Sequence, residues 1–143
     1  MELTDKELEN IITKVNEIFY DDMYEDEWLS KVFANTKIEI IKSQQTDFML
    51  GVLGGPKRYG GRSPKDAHPH IFIQEDMWEL REQYLRKALN EVNAPDSIQQ
   101  KWLAIDNAFK NAILKGSIAE CVGRYKTEPV IIVLNPKKIK IAA

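Results

Sequence analysis

The stretch GVLGGPKRYGGRSPKDAHPHIFI, residues 51–73, holds five of the chain's seven glycines, three of its six prolines and both of its histidines. Nothing apolar recurs at a regular interval from 54 to 67, so this part reads as an ordered loop. Loop histidines are ordinarily solvated surface. Placing all the imidazole of the chain in one glycine- and proline-rich loop asks for a further reason, and the segments on either side have to supply it.

Those segments carry helical patterns. Thr4 with Glu7 makes a capping box, and Leu8, Ile11, Ile12, Val15, Ile18 and Phe19 then recur at helical spacing, which predicts a helix over 5–23. After the acidic break YEDE and the turn WLSKVF, a second stripe of Ile38, Ile41, Gln45, Phe48, Met49 and Val52 predicts a helix over 37–53, stopped by Gly54-Gly55-Pro56. Beyond the loop, Met77, Trp78, Leu80, Tyr84, Leu85, Ala88, Leu89 and Val92 predict a helix over 74–93. Pro95 suits the first turn of a fourth, with Ile98, Trp102, Ile105, Phe109 and Ile113 on one face and Gly116 as its stop. The reading is an all-α core.

The chain has 143 residues, 43% of them hydrophobic and 29% charged, which fits one domain with one core. A formal net charge of −2 gives no global field toward nucleic acid or an anionic membrane. The start, MELTDKELEN, is polar where a secretory signal is basic and then apolar, and no run approaches the ~20 apolar residues of a spanning helix. The expectation is a cytoplasmic protein without nucleic-acid or membrane partners. One cysteine, Cys121, and two histidines make a poor inventory for a structural zinc site, so a metal here would arrive inside a cofactor.

Residues 117–143 break the helical pattern and read as a C-terminal extension to a domain over 1–116. Val130 to Leu134, VIIVL, is β-branched and continuous and suggests a short strand near 130–134. Five consecutive apolar residues need a partner surface, either this same chain or the matching run of a second copy, and Lys137, Lys138 and Lys140 then keep such a strand from stacking further. Monomer and homodimer both stay open.

The order of particular residues goes further than the stripes. Phe19-Tyr20 closes the first helix, Leu29 and Phe33 stand in the turn, QTDFMLGVLGGP runs over 45–56, RYGG over 58–61, and AHPHIFI over 67–73, with Ala88-Leu89 and Pro95 downstream. Over roughly residues 8–115 this order resembles the truncated haemoglobins of bacterial type, which implies a two-over-two helical sandwich around one haem b. The resemblance puts the iron ligand on His68, the ligand-side tyrosine on Tyr20 and the haem-packing phenylalanine on Phe33. Physical chemistry agrees with it. A porphyrin supplies four nitrogens, so one imidazole suffices to hold the iron of a histidine-poor chain. His70 is the competitor, two residues on; His68 is preferred because Ile73 then falls where the family keeps an isoleucine.

On the ligand side, Tyr20 offers a hydroxyl and Gln45 and Gln44 offer amides, donors that stabilise a diatomic ligand carrying partial negative charge. Gln45 lies on the apolar stripe and Gln44 one residue off it. Ile41 takes a position where globins often place a polar gate; being apolar, it shapes access without donating. Ile41, Phe48, Met49, Ile73, Met77 and Trp78 join Phe33 as the expected lining of the haem cavity. Lys42, Arg58, Arg62 and Lys65 are near enough to its rim to pair with propionates.

Two departures from the family stand inside the resemblance. The glycine pair near the amino terminus is absent, which predicts that the first helices fuse. Arg81 stands where part of the family has tryptophan or a small apolar residue, and an unpaired cation in an apolar pocket is costly. Either the helix is rotated, with Arg81 out of the pocket and Trp78 in its place, or Arg81 is functional; rotation is the preferred expectation. The function implied is reversible binding of oxygen, nitric oxide or carbon monoxide at five-coordinate iron. Its enzymatic versions are nitric oxide detoxification with a reductase, or peroxidase-like turnover. The alternatives are a gas sensor or ligand-delivery module acting through the extension, and a haem-free globin-like protein.

Overall fold

Helix α1, Asp5–Glu25, begins at its capping box: Thr4 Oγ1 accepts the Glu7 N–H and Glu7 Oε1 accepts the Thr4 N–H, both at 3.1 Å. With no glycine to bend it, α1 runs unbroken for 21 residues, the expected fusion. It ends at Asp26, whose Oδ1 accepts the N–H groups of Trp28 and Leu29 at 2.8 Å and so starts the short α2, Leu29–Val32. The YEDE break is thus a polar corner, tied to the rest of the fold by the Tyr84 hydroxyl, which donates to Asp26 Oδ2 at 2.6 Å.

The computed structural model describes residues 2–137, and in it α3, Ile38–Val52, α5, Glu75–Glu91, and α6, Asp96–Ile113, are the other long helices. Helix α3 closes in a Schellman turn: Gly55 N–H donates to Leu50 O at 2.8 Å, and Gly54 takes the left-handed conformation at φ 102°. Gly55 is needed for space as well, since a Cβ there would meet Leu50 Cδ1 at 2.6 Å. Helix α5 ends the same way with Asn93 at φ 55° and Ala94 N–H on Leu89 O at 3.1 Å. The loop after α3 contains one turn of helix that the pattern did not show, α4, Pro64–Ala67, capped by Ser63, whose Oγ accepts the Asp66 N–H. A capping serine followed by proline at the first helical position was its signal.

Helix α1 packs along α3 and α5. Its buried stripe of Leu8, Ile12, Val15, Phe19 and Met23 meets Leu85, Ala88 and Leu89 of α5 in one core. Burying each such large side chain contributes about 1.5–3 kcal/mol. Asn16, also buried, is satisfied across the α1–α3 contact, where its amide donates to Thr46 Oγ1 at 3.1 Å. Helix α3 buries only Met49 and Leu50; its remaining inward residues face a cavity.

After α6 comes a 3-10 turn, Ile118–Glu120, and then an extended segment that folds back on its own chain. Ile131 N–H donates to His70 O at 2.7 Å, Phe72 N–H to Ile131 O at 2.9 Å, and Trp28 Nε1 to Val133 O at 2.9 Å. Ile131 and Val133 turn inward while Ile132 and Leu134 are exposed, the two-residue alternation of extended backbone. The pairing is an isolated parallel bridge, Ile71 with Ile131, and no strand forms among the described residues. Lys138 and Lys140 lie outside them. Among the described residues no helix is long and apolar enough to cross a membrane.

Candidate functional site

The space between α1, α3, α5, α6 and the loop is a cavity of about 280 Å³, near the lower end of the ~300–1,000 Å³ of small-molecule sites. Every residue expected at the site lines it. Tyr20 comes from α1, Phe33 follows α2, and Ile41, Gln44, Gln45, Phe48 and Met49 form one wall on α3. Ile73, Met77 and Trp78 line it from the start of α5 and the residues just before it, and both His68, directly after α4, and His70 reach it. Tyr20 is buried, and among the described residues its hydroxyl and the two glutamine amides make no hydrogen bond. Three donors therefore remain available. Burial pushes the Tyr20 phenol well above its ordinary value, so it stays protonated.

His68 Nδ1 lies 2.6 Å from Pro64 O. A carbonyl only accepts, so Nδ1 carries the proton and Nε2 keeps its lone pair. Burial pulls the imidazole down to about 4 against the Pro64 hydrogen bond, which raises it, and Arg81 and Lys115 lower it further, so His68 is neutral at physiological pH. His70 is more deeply buried, at 5% exposure. Its Nδ1 makes no hydrogen bond and stands 3.8 Å from Glu128 Oε1. Only His68 has a backbone acceptor that fixes its tautomer.

Arg81 does not leave the pocket. It lines the cavity together with Trp78, its guanidinium carbon 4.7 Å from the Trp78 ring centroid and 5.2 Å from that of Phe19. Rotation is unnecessary because α6 supplies a counter-charge, with Arg81 Nη1 donating to Asp106 Oδ2 at 2.8 Å. Burial works against the guanidinium charge, but Asp106 outweighs it and raises the Arg81 pKa. The sequence pattern missed Asp106, Tyr59 and Phe109 as lining residues, and also Arg124 and Ile131 from the extension. Of the rim cations, Arg62 lines the cavity, whereas Lys42 is paired with Asp21 at 2.7 Å and Arg58 with Glu9 at 2.5 Å.

A helical fold whose central cavity is lined by His68 and His70 together with phenol and amide donors has what a globin site requires. A model of the bacterial-like globins matches residues 7–115, and the chain belongs to that family, one of haem proteins that bind diatomic gases such as oxygen. It is 30% identical over 90 residues to the group 1 truncated hemoglobin of Tetrahymena pyriformis, covering 63% of this chain and 74% of that protein. To the group 1 truncated hemoglobin of Tetrahymena thermophila it is 28% identical over 107 residues, covering 75% and 82%. Two crystal structures of the Tetrahymena pyriformis protein in its Fe(III) form, one with a tyrosine changed to phenylalanine and one with a glutamine changed to glutamate, superpose with TM-scores of 0.68 at 24% and 25% identity, each covering 78% of this chain and 98% of that one.

The residues present fit a haem. Its iron takes an imidazole nitrogen whose other ring nitrogen is bonded to a backbone carbonyl or carboxylate, the arrangement of His68 and Pro64. Among the described residues no group of three or more His, Cys, Asp or Glu side chains is gathered that would hold a bare metal ion. A porphyrin brings four nitrogens of its own, so one of the two imidazoles that line this cavity suffices to hold its iron.

Proposed function

We propose that the chain binds haem b through His68 and reversibly binds oxygen or another diatomic ligand beside Tyr20 and Gln45. The observation that carries this reading is the Nδ1–carbonyl bond of His68, which leaves Nε2 unprotonated at the cavity. A bound haem would supply an iron able to bind oxygen, nitric oxide or carbon monoxide. The protein supplies the rest. Of the residues that line the cavity, Phe33, Phe48, Met49, Met77 and Trp78 would exclude water from the ring, Tyr20, Gln45 and Gln44 would donate to the ligand, Ile41 would narrow the approach, and Arg62 would pair with a propionate. Haem titration of the purified protein, followed by absorbance, tests the reading; a chain that forms no Soret band would be the haem-free alternative.

Arg81 favours one enzymatic version of this function. Nitric oxide detoxification joins nitric oxide, dioxygen and one electron into nitrate, an anion, and a guanidinium at the cavity wall stabilises anionic character as it develops. The electron requires a reductase partner. Single-turnover mixing of the oxygenated protein with nitric oxide, with nitrate measured, distinguishes this activity from simple carriage. The intrachain bonds of the extension favour a monomer over pairing with a second copy.

A further inference from the structure

Five consecutive carbonyl oxygens of the loop that carries His68 are each met by a donor from beyond the end of α6. Arg124 Nη1 reaches Ala67 O at 3.5 Å, and Lys115 Nζ donates to His68 O at 3.0 Å and Ile71 O at 3.3 Å. Val122 N–H donates to Pro69 O at 2.9 Å and Ile131 N–H to His70 O at 2.7 Å. In return Phe72 N–H donates to Ile131 O at 2.9 Å. The loop needs this help. Between α3 and α5 its only helix among the described residues is the four-residue α4, too short to hold an imidazole by its own backbone ladder.

The segment making these bonds is itself fastened. Glu128 accepts the backbone N–H of Arg124 at 2.8 Å, its Nε at 2.9 Å and its Nη2 at 2.5 Å. The Glu128 side chain is 6% exposed and that of Arg124 25%, so the fork is partly sheltered from solvent. All the donors but Lys115 lie outside the residues matched by the globin family, 7–115. We infer that residues 121–133 are a strap that positions His68 toward the cavity, with Arg124 and Glu128 as the positioning residues that lock it. The inference rests on His68 as the iron ligand.

The test uses the full chain with Glu128→Gln and Arg124→Ala, and Arg86→Ala as a control that breaks the exposed Arg86–Glu82 pair elsewhere. Three quantities are read: hydrogen exchange in the apoprotein, haem loss to an excess of a haem-scavenging protein, and the iron–histidine stretching frequency of the ferrous form. Both strap variants should speed exchange at the Phe72 amide and leave α1, α3 and α5 protected. They should also release haem about tenfold faster, as expected for loss of one charge-assisted bond, and shift the iron–histidine frequency, while the control changes none of these. Wild-type exchange and haem loss in both variants would overturn the strap. So would protection lost evenly over loop and helices, which would make the pair a general stabiliser. A wild-type chain without a Soret band would overturn the haem reading and the strap together, whereas a normal band with wild-type exchange and haem loss in both variants overturns the strap alone.

Discussion

His68 Nδ1 stands 2.6 Å from the carbonyl oxygen of Pro64, one turn of α4 earlier, and this contact sets which ring nitrogen carries the proton. Burial adds to it by lowering the imidazole from 6.5 to about 4. In the unfolded apoprotein the same side chain takes up a proton near 6.5. The stabilisation from keeping His68 neutral is therefore complete above pH 6.5 and is lost as pH falls toward 4. Thermal midpoints of the wild-type apoprotein should fall relative to His68→Leu across that window. Parallel curves for the two proteins would contradict the shift.

Tyr20→Phe removes one hydroxyl and little volume from the ligand side of the cavity. A hydrogen bond to a charged partner is worth about 1.5–3 kcal/mol and 1.4 kcal/mol is tenfold, so oxygen should dissociate roughly tenfold faster or more. Stopped-flow displacement of oxygen by carbon monoxide measures this. An unchanged rate would remove Tyr20 from the site.

Arg81 brings a guanidinium to the cavity wall, paired there with Asp106 at 2.8 Å. Arg81→Met should weaken azide binding to the ferric protein by about tenfold while leaving carbon monoxide binding to the ferrous protein nearly unchanged, since only azide carries charge. The single variant leaves Asp106, whose side chain is 11% exposed, without its ion partner and should also lower the thermal midpoint. Arg81→Met with Asp106→Asn should recover that midpoint without recovering azide affinity. Equal azide affinity in wild type and double variant would make the pair purely structural.

The four long helices were legible because their signals are local. The Thr4 capping box, the Gly54-Gly55 stop and the apolar stripes place them within two residues of 5–25, 38–52, 75–91 and 96–113. The cavity lining followed once residue order located His68 and Tyr20. Arg81 was misplaced because its fate depends on Asp106, twenty-five positions away on another helix, and no stripe encodes that pairing. The extension was harder for the same reason. Val130 to Leu134 announces a need for a partner surface, but for Ile131 that surface is the backbone of His70 and Phe72, which offers a carbonyl and an amide to any chain, and for Val133 it is the core and Trp28, 105 positions away in sequence.

The central claim is that His68, and not its neighbour two residues on, holds haem iron. Titration of haem into purified apoprotein, followed at the Soret band, tests it most directly in the wild type and in His68→Ala and His70→Ala. The account predicts one haem bound tightly per chain in the wild type and in His70→Ala, and no tight binding in His68→Ala. Equal loss in both variants, or a wild-type chain that takes up no haem, would contradict it.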